Sequence, residues 1–214
     1  MKVSSKRLTP ALLALLLAAC AAPQKRPLPD RPVAEPPSPS QPAAVSAEPA
    51  KDPQTRFNEA LAALKAKKLK EAREGFGTLA KEHPELAGPL TNLGILDAKA
   101  GQRQAAVAQF SRALVANPQN AIAYNWLGIL YRESGDYARA EQSYLRALAI
   151  QPNDAAVILN LGMLYDVYLK RPADALARYR EYQTLTGTKE LKVTAWIRAL
   201  EASQAPVTTE AGKS

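Results

Sequence analysis

NAIAYNWLGILYRESGDYARAEQSYLRALAIQPN, residues 120–153, carries the pattern that decides the fold. It reads as two helices folded back on each other, with Gly135 in the turn between them and Pro152 ending the second. The stretch is one copy of a repeat. Pro84, Pro118 and Pro152 stand 34 residues apart, and Gly94, Gly128 and Gly162 keep the same spacing. So do Phe76, Phe110 and Tyr144, and so do Ala72, Ala106 and Ala140. Four residue classes sharing one period identify an internal repeat rather than a coincidence of composition.

Small residues at fixed places explain the spacing physically. Gly94, Gly128 and Gly162 let the two helices of a hairpin approach where a side chain would hold them apart, and Ala72, Ala106, Ala140 and Ala175 do the same from the second helix. An aromatic residue four positions after each alanine fills the next turn of that face. Pro172 suits the first turn of a helix. The period resembles that of the tetratricopeptide repeat, a helix-turn-helix with a Leu-Gly pair and a later Tyr in its first helix. Residues 121–154 carry the pattern most fully, through Tyr124, Leu127, Gly128, Tyr131, Ala140, Tyr144, Ala147 and Pro152. Residues 87–120 have Asp97 where Tyr131 stands, and residues 53–86 have Ala60 in place of the glycine. Residues 155–188 gain one residue, which the sequence reading places in the turn, so that Ala175 and Tyr179 answer Ala140 and Tyr144. The resemblance implies an all-α solenoid of about four hairpins within residues 54–203. A hairpin cannot bury its apolar face alone. Residues 189–203, with Val193, Trp196, Ile197 and Leu200 on one stripe, are the expected cap, and 204–214 are a polar tail.

Upstream of the repeats the texture changes. Residues 21–53 hold ten of the chain's 17 prolines and no glycine, with basic and acidic residues in balance. Such a segment leans toward polyproline II and reads as a tether with a reach on the order of 100 Å. Before it, Lys2, Lys6 and Arg7 precede an apolar run from Ala11 to Ala19 that is too short to span a bilayer and fits a secretory signal over residues 1–19. The run ends in Leu17-Ala18-Ala19-Cys20, which resembles the lipobox of bacterial lipoproteins. The resemblance implies cleavage before Cys20 and a diacylglyceryl group on its thiol, opening the segment 20–53 with a membrane anchor. Ala21, rather than Asp, follows the cysteine, which in a two-membrane cell implies the outer membrane and its periplasmic face.

The residue inventory is poor in chemistry. One cysteine and one histidine leave no metal set and no nucleophile with a base. His83 reads as a solvated turn residue, and no catalytic carboxylate pair, phosphate-binding loop or nucleophile elbow is present in the sequence. The chain is therefore expected to be no enzyme, with no cofactor, no metal and no small-molecule substrate. A net charge of +8 would suit nucleic acid, but the export signal argues against that partner. Lys65, Lys67, Lys68, Lys70 and Arg73 gather around the first hairpin's turn, either as a solvated face or as a contact for an anionic surface.

In the tetratricopeptide family the first helices line a concave groove. The resemblance places three rows there: Thr91, Asn125 and Leu159; Ile95, Ile129 and Met163; Ala98, Arg132 and Asp166. Relatives that clamp a terminal carboxylate carry Lys and Asn in the first two rows, whereas this chain carries mostly apolar residues. An apolar groove edged by Arg132 and Asp166 suits an amphipathic helix or an apolar peptide segment. The expected function is a membrane-anchored protein-binding scaffold for a cell-envelope assembly of the pilus, secretin or TonB type. The alternative is an accessory factor that recruits peptidoglycan-modifying enzymes.

Overall fold

The computed structural model describes residues 51–187 and 190–204, all within one compact unit. Residues 1–50, with the expected signal stretch 1–19, Cys20 and most of the proline-rich segment, and the tail from residue 205 lie outside the described residues. Among the described residues the chain is wholly helical: α1 (Pro53–Lys65), α2 (Leu69–Glu82), α3 (Ala87–Lys99), α4 (Arg103–Ala116), α5 (Ala121–Glu133), α6 (Tyr137–Ile150), α7 (Ala155–Met163), a π-helical turn (Leu164–Tyr168), α8 (Pro172–Thr186) and α9 (Leu191–Gln204). Helices pair as α1–α2, α3–α4, α5–α6 and α7–α8, and each pair stacks on the next. The first helix α3 also touches the next first helix, α5, which puts the first helices on the inner side of the stack.

The helix starts follow from short polar side chains. Asp52 accepts from the backbone N–H of Gln54 and Thr55, Asn120 from Ala123, Asp136 from Arg139, and Asp154 from Ala156 and Val157, at 2.9–3.1 Å. Each bond satisfies a donor that the first helical turn leaves unpaired. Pro53 and Pro172 occupy the first turns of α1 and α8, where a missing N–H costs nothing.

Every hairpin turns in three residues, 66–68, 100–102, 134–136 and 169–171, and the middle one is left-handed in each. Glycine serves in the two central turns (Gly101, φ 74°; Gly135, φ 84°), but lysine stands in the outer two (Lys67, φ 62°; Lys170, φ 53°). The extra residue of the fourth hairpin is not in its turn, contrary to the sequence reading. The helices α1, α3 and α5 have 13 residues each, whereas the helical run 155–168 has one more, absorbed by the π turn in which the Leu169 N–H bonds the Leu164 carbonyl at 3.0 Å. The turn itself is closed by the Arg171 N–H on the Tyr165 carbonyl at 2.8 Å, as the Asp136 N–H closes the third turn on the Tyr131 carbonyl at 2.9 Å. The same repeat positions are bonded, but the segment they close spans six residues instead of five, and the wide π turn takes up the surplus while the turn itself stays at three residues.

Inside the second, third and fourth hairpins a ring lies against a glycine. A Cβ added to Gly94 would stand 2.7 Å from the Phe110 ring, one on Gly128 2.5 Å from Tyr144, and one on Gly162 2.8 Å from Tyr179. The rings of Phe76, Phe110, Tyr144 and Tyr179 are all fully buried. The first hairpin reverses the arrangement: Ala60 replaces the glycine, and Gly75 on α2 makes room, since a Cβ there would be 2.9 Å from that of Ala60. Aromatic contacts also join one hairpin to the next. Phe110 stacks on Trp126 at 6.2 Å between ring centroids, and Tyr179 meets Trp196 of α9 at 5.4 Å. With Val193, Ile197 and Leu200 buried, α9 closes the stack and leaves Lys192, Arg198 and Glu201 outward.

Gly128 and Gly77 make a matched test, because Ala is the better helix former by about 1 kcal/mol wherever there is space. Nothing lies within 4 Å of a Cβ on Gly77. Gly77→Ala is expected to raise the melting temperature, whereas Gly128→Ala is expected to cost roughly 1–3 kcal/mol through overpacking against Tyr144. Thermal unfolding followed by circular dichroism checks both signs.

Candidate functional site: the inner face of the first helices

Three inner helices carry the candidate residues. On α5 the side chains of Ile122, Asn125, Ile129 and Arg132 recur at helical spacing on one face, and on α7 and its π turn Leu159, Met163 and Asp166 do the same. Ile95, Ile129, Leu159 and Met163 are half-buried, packing against the core on one side. Ile122, one turn before Asn125, is 53% exposed and extends the apolar face. The sequence reading stopped short of it, although the same repeat positions (Gly88, Ile122, Ala156) would have pointed to it.

The polar members divide by task. Asn125 is half-buried, and its side-chain oxygen accepts from the Asn160 amide at 3.1 Å, tying α5 to α7 across the face. Thr91 is buried: its hydroxyl donates to the Ala87 carbonyl at 2.7 Å and accepts from the Asn120 amide at 2.7 Å. Because Asn120 also caps α5, Thr91 fixes the start of that helix rather than standing open for a ligand. Ala98 is half-buried at the end of α3.

Arg132 and Asp166 occupy equivalent places over the buried tyrosines. Asp166 accepts from the Tyr179 hydroxyl at 3.2 Å. Arg132, near enough to Tyr144 for its charge to act on the phenol, makes no hydrogen bond to it, and the Tyr144 hydroxyl has no hydrogen-bond partner among the described residues. Burial raises the pKa of both phenols far above the ordinary tyrosine value; Asp166's charge adds to the rise at Tyr179, and Arg132's opposes it at Tyr144.

A second set of polar links was not legible as such. Asp97, buried where the next hairpin has Tyr131, pairs with Arg73 of the preceding hairpin. At the next interface Tyr131 packs against the core on both sides with Arg139 over its ring at 4.4 Å, and at the last Tyr165 donates to Glu141 at 2.9 Å. Burial first, then the bond to Glu141, pushes the Tyr165 phenol up to about 12. Arg171 also bonds Glu141, at 2.8 Å, and lies over the Tyr165 ring at 4.4 Å. These groups join hairpins. No group of three or more His, Cys, Asp or Glu residues that could hold a metal ion occurs among the described residues.

Residues 91–155 match the model of the tetratricopeptide repeat family. That stretch runs from α3 to the first residue of α7 and contains the third hairpin whole. The helical domain is a tetratricopeptide-repeat solenoid. Solved structures of the same fold include a tetratricopeptide protein of Thermus thermophilus, 23% identical with a TM-score of 0.57, covering 71% of this chain and 82% of that one. PilF of Pseudomonas aeruginosa is 20% identical with a TM-score of 0.62, covering 71% and 68%. MamA of Desulfovibrio magneticus is 21% identical with a TM-score of 0.61, covering 71% and 84%. No curated protein sequence matches the chain. At these identities the likeness is one of fold. The fold is one that supports protein–protein interaction.

The paired tyrosines give a prediction of opposite signs. Tyr179→Phe is expected to cost about 1 kcal/mol or more by leaving Asp166 without its hydrogen bond, while Tyr144→Phe removes a buried hydroxyl that has no partner and is expected to be neutral or stabilising by up to about 1 kcal/mol. Denaturant midpoints of the two variants against the parent check it.

Proposed function

We propose that the chain is a membrane-anchored scaffold that binds an apolar or amphipathic helical segment of a cell-envelope protein on its inner face. The observation that carries this reading is the apolar run Ile122, Ile129, Leu159 and Met163 on α5 and α7, half-buried or exposed and bordered by Asn125, Arg132 and Asp166. An amphipathic helix docks through apolar anchors at three- and four-residue spacing and leaves its polar face to such a border. The anchor rests on Leu17-Ala18-Ala19-Cys20, with the outer membrane as the expected site because Ala21 follows. No helix among the described residues is long and apolar enough to cross a membrane, so in this reading the acyl group at Cys20 provides the attachment. The proline-rich linker then sets the reach from membrane to partner. A pilus, secretin or TonB-type assembly is the kind of machine such a tethered groove serves.

Two measurements test the two halves. Radiolabelled palmitate is expected to label the parent but not Cys20→Ser, and equal labelling of both would remove the anchor. For the groove, a photo-crosslinking residue at Asn125 is expected to yield a discrete partner adduct in intact cells. The same probe at Val115, 86% exposed on the outer helix α4, is expected to yield none. Identical adducts from both positions would show that the partner does not enter the groove.

A further inference from the structure

The three-residue turns within the hairpins all lie on one edge of the solenoid, because each hairpin stacks on the last in the same orientation. Side chains from consecutive turns meet along it. Arg103 at the second turn bonds Glu133 before the third at 3.3 Å, and Tyr137 and Tyr168 bring the third and fourth together at 5.1 Å between ring centroids. The carboxylates of this edge are already engaged: Glu71 with Lys68, Glu133 with Arg103, Asp136 with Arg139, and Asp174 with Arg171. Lys65, Lys67, Lys70, Lys99 and Lys170 have no carboxylate partner among the described residues. The opposite edge, by contrast, mixes Lys81 and Lys192 with Glu82, Glu85, Asp154 and Glu190.

Two further features set the basic edge apart from an ordinary solvated face. Lysine holds the left-handed position in the two outer turns, Lys67 and Lys170, where the central turns have glycine. A side chain at positive φ is disfavoured by contact of its Cβ with the following carbonyl, so lysine stands there against the local preference of the backbone. Beside each of these lysines an apolar residue is exposed: Leu69 at 56% next to Lys67, Lys68 and Lys70, and Val167 at 51% with Tyr168 at 42% next to Lys170 and Arg171. The π turn is what carries Val167 and Tyr168 to that edge. A nucleic acid or an acidic polypeptide would meet the lysines but would leave the aliphatic side chains without a counterpart. A bilayer surface takes both, since lysine stems lie along the headgroup layer while Leu, Val and Tyr enter the boundary below it.

We infer that the turn edge of the solenoid lies on an anionic phospholipid surface, with Lys65, Lys67, Lys70 and Leu69 at one end and Lys170, Val167 and Tyr168 at the other as its contacts. Such seating requires neither the inner groove nor acylation at Cys20, so it stands or falls separately from the proposed function. It would orient the groove relative to the membrane, which an acyl group at Cys20 alone does not do.

Vesicle flotation of the full chain carrying Cys20→Ser tests the inference without an acyl anchor. The parent is expected to partition more strongly into phosphatidylcholine vesicles containing phosphatidylglycerol than into phosphatidylcholine alone, and less so as salt rises. A variant with Lys65→Gln, Lys67→Gly and Lys70→Gln is expected to lose that preference by at least roughly tenfold, because each lysine at an anionic surface contributes about a factor of five. Glycine is chosen at position 67 because its φ of 62° accommodates it. Lys99→Gln with Lys170→Gly reads the other turns independently and is expected to weaken the preference several-fold. Leu69→Ser with Val167→Ser is expected to weaken partition at every salt concentration. Residues 1–50 are identical in all arms, so their contribution cancels in the comparison. The inference is overturned if both lysine variants keep the parent's preference, if the parent shows none, or if the Leu69 and Val167 substitutions change nothing.

Discussion

The contact between a glycine of the first helix and an aromatic ring of the second is the constraint on which the rest of the solenoid depends. A helix pair separated by ordinary side chains leaves no place for a flat ring, and a ring without that place could not be fully buried. At Gly128 the Tyr144 ring occupies the space a Cβ would need, and Gly94 with Phe110 and Gly162 with Tyr179 repeat the arrangement. The first hairpin meets the same requirement by moving the glycine to Gly75 on α2, opposite Ala60. What is held constant is therefore the closeness of the helices, not the identity of the residue at one position. Because the ring is at the centre of each hairpin, the faces left to stack on neighbours have the same geometry each time, and a short array follows.

Within that frame each junction between hairpins is free to differ, since each touches only its neighbours. The same place is filled by an ion pair of Asp97 with Arg73 at the first junction, by Tyr131 at the second and by Tyr165 with Glu141 at the third. The charged junction is also the one with a buried carboxylate, so its partner Arg73 is structural although it lies in the basic cluster of the first turn. Arg73 therefore belongs to the joint between hairpins, and the lysines around it to the surface.

The fourth hairpin shows how one added residue changes a surface without changing a fold. The closing bond of the turn and the ring-on-glycine contact are both preserved, so the surplus length goes into a π turn between them. That wide turn places Val167 and Tyr168 outward, while Asp166 still reaches the Tyr179 hydroxyl. At the equivalent position Arg132 cannot accept from Tyr144, and the two hairpins differ in the polarity they present to the groove although their cores superpose in kind.

The sequence by itself determined the helical hairpins, their number and their register, because period-34 glycines, alanines, aromatics and prolines are local requirements of a close-packed helix pair and are written at fixed positions. It also determined the apolar character of the inner rows and the cationic first turn, since composition at a repeat position carries over from one copy to the next. Four matters were decided only by the tertiary structure. Thr91 looks like Asn125 and Leu159 in the repeat, yet Asn120 from the next hairpin covers its hydroxyl. Asp97 looks like a lapse from the pattern, yet it meets Arg73 across a junction 24 residues away in sequence. The added residue of the fourth hairpin looks like a longer turn, yet the turn keeps three residues and the π turn before it takes up the surplus. The lysines of separate turns look like scattered charges, yet stacking brings the turns to one edge. For Thr91, Asp97 and the lysines the deciding relation joins different hairpins, and a repeat read one copy at a time contains no such distances; for the added residue it is the backbone bonding of the helix end, which residue spacing alone does not fix.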